Sequence, residues 1–210
     1  MNRKGILVVV SGFSGVGKGT LMHCLTERYG YYALSISATT RAPREGEEDG
    51  REYFFRTKEE FEKLIEEDRL IEYACYCGNY YGTPRDYVED QMEQGRDVIL
   101  EIEFQGALKI REQYPDALLL FVMPPDTQTL VERLRGRGTE TDEVIRARLA
   151  QAVEESGQVE HYDYMIINDD LDQSVEEVHR LIDSQHNKIN RNLDFVRQIQ
   201  EEIKAFAKGE

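Results

Sequence analysis

The residues best suited to chemistry lie in one short stretch, Gly12-Phe13-Ser14-Gly15-Val16-Gly17-Lys18, followed by Gly19-Thr20. Backbone N–H groups in a glycine-rich turn point inward and cradle phosphate oxygens, helped by the positive end of a following helix dipole. Glycines let the chain wrap where a Cβ would clash. Lys18 adds a mobile point charge for the outer phosphates of a nucleoside triphosphate. Gly12, Gly17 and Lys18 meet the pattern Gly-x-x-x-x-Gly-Lys, but Gly19 stands where Ser or Thr is usual, which leaves Thr20 or water to serve magnesium. The blander reading is a glycine-rich turn with an incidental lysine. A strand-like run at 6–10 before the turn and a helical pattern at 21–29 after it argue against that.

Other reactive side chains are more scattered. Val98-Ile99-Leu100 reads as a second buried strand ending in Glu101 and Glu103, a place where phosphate-loop enzymes hold a magnesium or water partner. Strands often end in acids, so this signal alone is weak. Arg41 and Arg44 flank Pro43 in a charged loop over 41–51. The loop could be a solvated linker, but guanidinium forks suit phosphate geometry. Arginines cluster again at Arg133/Arg135/Arg137 and at Arg146/Arg148. The last two lie two apart on a helical pattern, so one at a time can point squarely at a ligand. His23, His161, His179 and His186 form no cluster. Cys24, Cys75 and Cys77 are odd in number and widely spaced, which fits a reducing compartment and neither a disulfide scaffold nor a metal site.

These residues must be positioned by a chain of 210 residues with 26 basic and 41 acidic side chains, a net charge of −15. That balance argues against nucleic-acid or anionic-membrane partners, and no apolar run reaches the ~20 residues of a membrane span. Strands are expected at 32–37, 52–55, 70–77, 97–102, 117–123 and 164–168. Helices are expected behind the capping-box pattern Thr57-x-x-Glu60, with Phe61, Leu64 and Ile65 on one face, at 104–114, 127–135, 142–155 and 173–184, and after Thr83 with Pro84 in the first helical position. A final amphipathic helix over about 188–207 lines up Leu193, Val196, Ile199 and Ile203, a face expected to pack on the core. This alternation predicts an α/β fold, a parallel sheet flanked by helices with its phosphate site beyond the carboxyl ends of the strands. The core is divided over 1–35, 91–125 and 158–185. Two excursions interrupt it, an α/β region at 36–90 and a helical, arginine-rich region at 126–157; a tail follows at 186–210. Two arginine-bearing excursions around one phosphate loop suggest two phosphorylated ligands meeting head to head.

Longer motifs sharpen this. Ser35-Ile-Ser37-Ala-Thr-Thr-Arg41-Ala-Pro-Arg44-Glu-Gly46-Glu47-Glu-Asp-Gly50-Arg-Glu-Tyr53-Phe-Phe55 resembles the nucleotide-monophosphate segment of the guanylate kinase family. Glu72 with Gly78-Asn79-Tyr80-Tyr81-Gly82-Thr83, Ile99-Leu-Glu-Ile-Glu103-Phe-Gln105-Gly106 and Arg137-Gly-Thr-Glu-Thr141 are similar to the same family, over about residues 5–185. The resemblance implies a P-loop NTPase-type sheet with an inserted GMP-binding region (36–90) and a helical lid (126–157). It implies a cytoplasmic enzyme that transfers the γ-phosphoryl group of ATP to GMP, with dGMP as a further acceptor and Mg²⁺ as cofactor. Residues Gly12 to Thr20 would bind ATP, and Asn168 would sit near the adenine. Arg41, Arg44, Tyr53 and Tyr81 would hold the GMP phosphate, and Ser37, Glu72 and Thr83 would read guanine. Lys18, Arg137 and Arg148 would serve the transferring group. Glu101 and Glu103 stand where many family members carry aspartates. Which of them faces magnesium with Thr20 and which faces GMP stays open, although Glu101 is the one assigned here to the metal and Glu103 to GMP. Another nucleoside monophosphate kinase, or a non-catalytic interaction module of the same fold, are the rival readings.

Overall fold

The computed structural model describes residues 4–44, 46–76, 78–136 and 141–208. Along the chain lie β1 (Leu7–Gly12), α1 (Lys18–Arg28), β2 (Tyr32–Leu34), β3 (Ala38–Thr39), β4 (Phe54–Phe55), α2 (Lys58–Glu66), β5 (Leu70–Tyr76), β6 (Asn79–Pro84), α3 (Arg85–Glu93), β7 (Asp97–Glu101), α4 (Phe104–Gln113), β8 (Leu118–Met123), α5 (Thr127–Gly136), α6 (Asp142–Ser156), β9 (Tyr164–Ile167), α7 (Leu171–Gln185) and α8 (Leu193–Lys208).

The valine-rich β1 is buried along its whole length, as a central strand covered on both faces must be. It is the middle of a five-stranded parallel sheet in the order β2-β7-β1-β8-β9. Alternation along β1 sorts its side chains: Ile6, Val8 and Val10 join a core with α1, α5 and α7, whereas Leu7 and Val9 join one with α3 and α4. The register sets Val10 beside Glu101 of β7 and Gly12 beside Val122 of β8. The carboxyl ends of β1 and β7 therefore open side by side, where α/β sheets place their ligands.

The region predicted at 36–90 folds around a second, four-stranded sheet in the order β4-β3-β6-β5. Its small core joins Ala38, Phe61 and Leu70, with Tyr80 stacked on Phe61 at 5.2 Å. Both halves of the predicted capping box are made, between Thr57 and Glu60.

Three expectations need correction. The strand expected over 32–37 ends at Leu34. Pro84 does not begin the helix after Thr83; it completes β6 opposite Leu70 and caps α3 from outside. The apolar stripe of α8 does not pack on the core. Leu193, Val196, Ile199 and Ile203 are 36–62% exposed, because α1, α5 and α7 on one side and α3 and α4 on the other already cover the parallel sheet. Among the described residues, no helix is long and apolar enough to cross a membrane.

Candidate functional site

The turn between β1 and α1 is built of conformations that favour glycine. A Cβ on Gly12 (φ +152°) would lie 2.3 Å from the carbonyl oxygen of Val122, and one on Gly17 (φ +95°) would lie 2.7 Å from Asn168 Nδ2. The turn is also held from behind. Asn168, buried at the end of β9, donates from Nδ2 to the Val16 carbonyl at 2.9 Å. Arg133 Nη1, from α5, donates to the carbonyls of Val16 at 3.1 Å and Asn168 at 2.9 Å. Phe13 packs edge-on to Phe121, and Lys18 Nζ folds over the turn to donate to the carbonyls of Gly12 (2.5 Å) and Phe13 (3.2 Å). Gly15, Gly19 and Thr20 complete the stretch, with Gly19 and Thr20 exposed in the first turn of α1.

From the helical excursion, Arg148 donates a hydrogen bond to Ser14 Oγ, while Arg146, two positions earlier, is exposed. Arg137 lies outside the described residues.

Acids border this cationic turn. Glu101 Oε2 is 3.9 Å from the place a Cβ on Gly19 would take, so the missing side chain leaves the first turn of α1 open towards the carboxylate. Glu101 keeps contact with solvent, yet its surroundings are close enough that desolvation pushes its carboxyl up, opposed by Lys18 and reinforced by Glu103. Thr20 and Glu101 are hard oxygen donors. Among the described residues no group of three or more His, Cys, Asp or Glu could hold a metal. One or two protein oxygens with substrate phosphates and water making up the rest is how magnesium is commonly bound, so these residues fit that ion. Glu103 occupies the cap position of α4, but its side chain makes no cap bond.

The second sheet presents the other half. The β5–β6 register shifts between Leu70 and Glu72, and Leu70, Ile71 and Glu72 are buried in succession. Such an irregularity re-aims a side chain. Here it sets Glu72 inward opposite Thr83, whose Oγ1 donates to Glu72 Oε1 at 2.8 Å. A Cβ on Gly106 of α4 would lie 3.2 Å from Glu72 Oε2. Burial pushes the Glu72 carboxyl up, opposed by the Thr83 hydroxyl and by Lys109. Ser37 stands just before β3, half-buried, its carbonyl accepting from Phe54 N–H at 2.9 Å.

Near the open edge of this sheet, the Arg41 guanidinium lies 5.2 Å from the Tyr53 ring centre, and Tyr81 packs edge-on to Tyr53 at 6.2 Å. Glu47 organises the arginines: it accepts from the Arg44 backbone N–H at 2.7 Å and from Arg41 Nη2 at 2.9 Å, which holds its carboxyl below the usual range. The Arg44 side chain is exposed. Arg41, Tyr53 and Tyr81 thus form one cluster and Glu72 with Thr83 another, on the same small sheet. Arg133 and Gly106 were assigned no role from sequence. Arg133 was one arginine in a cluster of three, and nothing in its spacing singled it out.

Comparison with known proteins identifies the family and agrees with the fold. The family model described as guanylate kinase matches residues 4–185. A guanylate kinase of Caldanaerobacter subterraneus subsp. tengcongensis is 45% identical over 202 residues, covering 96% of this chain and 98% of the relative. One from Synechocystis sp. is 53% identical over 179 residues, 85% of this chain and 92% of the relative. The crystal structure of guanylate kinase from Anaplasma phagocytophilum superposes with a TM-score of 0.74 at 31% identity, covering 93% of this chain and 94% of that one.

Proposed function

The chain belongs to the guanylate kinase family and catalyses phosphoryl transfer from ATP to GMP; we propose that its residues divide this work across two halves of one cleft. Residues Gly12 to Thr20 bind the ATP phosphates, with Lys18 on the outer ones and the adenine beside Asn168. Arg41, Arg44, Tyr53 and Tyr81 bind the GMP phosphate. Ser37, Glu72 and Thr83 read the base, with Glu103 facing GMP. Arg148 and Arg137 neutralise the transferring group. Thr20 and Glu101 hold the divalent ion that accompanies ATP, taken to be Mg²⁺. When bound, that ion would neutralise phosphate charge.

The acceptor is a phosphate oxygen, already anionic at neutral pH, so no side-chain base is needed. Alignment and charge neutralisation carry the catalysis. Base choice follows from Glu72: guanine offers N1–H and N2–H to a carboxylate, whereas adenine offers a lone pair and a C–H. The observation that carries this reading is the stretch Glu101–Gly106, which borders both halves. Its start lies beside Gly19 and in the field of Lys18, and its end lies against Glu72. A phosphate cradle and a buried carboxylate are thus joined through six residues. We place the enzyme in the cytoplasm, with nucleotides as partners and, at a net charge of −15, no nucleic acid.

A coupled assay offering GMP, dGMP, AMP and UMP as acceptors tests the reading. GMP should have the highest kcat/KM, with dGMP also accepted. Turnover of AMP or UMP equal to that of GMP would overturn it.

A further inference from the structure

Gly106, Lys109 and Gln113 follow one another on α4 at spacings of three and four, which puts them on one face of the helix. That face meets β5 at Glu72. Gly106 gives the Glu72 carboxylate its close approach to the helix. Lys109 Nζ donates to the Tyr73 carbonyl at 3.3 Å and lies 5.3 Å from the Tyr73 ring centre. Gln113 Nε2 donates to the Ile71 carbonyl at 3.1 Å. The two carbonyls flank Glu72, and carbonyls two apart on a strand point to the same edge. Among the described residues β5 pairs with β6 alone, so its other edge has N–H and C=O groups to satisfy. The β5–β6 register also shifts here, between Leu70 and Glu72, which loosens the ladder beneath the carboxylate. Gln113 is itself oriented. Its Oε1 accepts from Arg85 Nη2 at 3.4 Å, which turns Nε2 towards Ile71. Arg85 Nη2 also donates to the Leu70 carbonyl at 3.3 Å, and its Nη1 to the Tyr114 hydroxyl at 3.0 Å.

We propose that Lys109 and Gln113 are positioning residues for base selection: by gripping the carbonyls on either side of Glu72, they fix where its carboxylate stands in the acceptor pocket. Thr83 Oγ1 holds one carboxylate oxygen from β6, but no side chain can aim from a backbone that shifts. The two α4 donors tie that backbone to the helix that begins directly after Glu101–Glu103, on the side of the phosphate cradle. The demand for such a grip is geometric. Two parallel bonds to guanine N1–H and N2–H need both carboxylate oxygens in line, and hydrogen bonds weaken steeply when the angle falls away. Lys109 and Gln113 are both exposed, so their part is in these two bonds rather than in filling the core. The inference rests on the assignment of Glu72 to guanine made above.

The experiment measures initial rates with GMP and with AMP as acceptor on Lys109→Met, Gln113→Met, the double variant, Lys109→Arg and Glu72→Gln. Methionine keeps the length of either side chain and removes the donor. Each single methionine variant should raise the KM for GMP by about threefold and the double variant by about tenfold, the losses expected for one and two neutral-acceptor hydrogen bonds. The GMP-to-AMP ratio of kcat/KM should fall by the same factors, because AMP offers Glu72 no pair of donors to lose. The KM for ATP should stay near that of wild type, and Lys109→Arg, which keeps a donor for the Tyr73 carbonyl, should behave as wild type. An unchanged GMP-to-AMP ratio in the double variant, or Lys109→Arg as impaired as Lys109→Met, would overturn the proposal. Equal losses on GMP and AMP would also do so, since they would make the two residues merely structural. Glu72→Gln separates the premise from the inference. An unchanged ratio in that variant refutes Glu72 as the reader. A narrowed one beside an unchanged double variant refutes positioning by α4.

Discussion

Gly106→Ala offers a test of the base-reading site in which function and stability should part. Gly106 is the third residue of α4, where alanine is a better helix former than glycine by up to ~1 kcal/mol. Its Cβ would lie 3.1 Å from Ile102 Cδ1 and 3.2 Å from Glu72 Oε2. The isoleucine methyl can swing aside. The carboxylate has less freedom, because it is buried and its other oxygen is tied to Thr83 Oγ1 at 2.8 Å. It must therefore yield by a few tenths of an ångström. A hydrogen bond to a charged group contributes ~1.5–3 kcal/mol, so losing about half of one costs ~1.4 kcal/mol, or about tenfold in affinity. We expect the KM for GMP to rise about tenfold, the KM for ATP to stay within about twofold, and the melting temperature to hold or rise slightly. A coupled assay with each nucleotide varied in turn, beside a thermal melt, measures all three. An unchanged KM for GMP would mean that the carboxylate beside Gly106 does not contact the acceptor. Equal rises for both nucleotides would point to a general distortion of α4.

Glu72→Gln keeps the shape of the reader but lets its amide rotate to face a lone pair. It should narrow the GMP-to-AMP ratio of kcat/KM, which sites of this kind set at about 10⁴–10⁵, and an equal loss on both acceptors would make Glu72 structural. Arg148→Ala should lower kcat by about 10³ with little change in GMP affinity, as for an arginine acting on transferring phosphoryl charge; a pure KM effect would assign it to ground-state binding. Asn168→Ala removes the 2.9 Å bond behind Val16 and should raise the KM for ATP severalfold while leaving that for GMP alone, and the reverse pattern would move Asn168 to the acceptor half. The last prediction concerns pH. The Glu155 carboxyl, buried in α6 and pushed up by desolvation to about 7 when folded, lies above the usual ~4.3, so the native state binds the extra proton between those values. Stability from this group is present below about pH 4 and is lost as pH rises through about 7. The melting-temperature advantage of Glu155→Gln over wild type should therefore grow between pH 5 and 8, and a constant difference would show that Glu155 does not titrate there.

What was legible in the sequence is what depends on neighbours along the chain. The phosphate loop shows because strand, glycines, lysine and helix are contiguous, and the capping box because its partners are three residues apart. What was not legible depends on contacts between distant segments. Asn168 and Val16 are 152 positions apart, and Arg133 is 117 from the same carbonyl, so no local pattern marks either as a support of the loop. Glu155 follows Glu154 on a polar helix, and nothing in the sequence says which of the two turns inward. The tail shows the converse limit. Periodicity revealed an apolar face on α8, but not that the sheet was already covered on both sides.

The same distinction explains how an acidic chain can manage two polyanionic ligands. At physiological salt a charge is screened over ~8 Å, so most of the net −15 acts weakly at the cleft. On the proposed assignment what would matter there is the set of cations beside a phosphate, and Lys18, Arg41 and Arg148 are each held by the protein. Lys18 rests on the Gly12 and Phe13 carbonyls, Arg148 on Ser14, and Arg41 on Glu47 and the Tyr53 ring. Lys18 leans on carbonyl oxygens with the Glu101 carboxylate nearby, and Arg41 on the Glu47 carboxylate. On the proposed assignment, an arriving phosphate would exchange these contacts for ones in which both partners are ionised. On the same assignment, local pre-orientation of that kind, rather than the overall field, would let Lys18 and the arginines act on phosphates in a chain whose total charge opposes them.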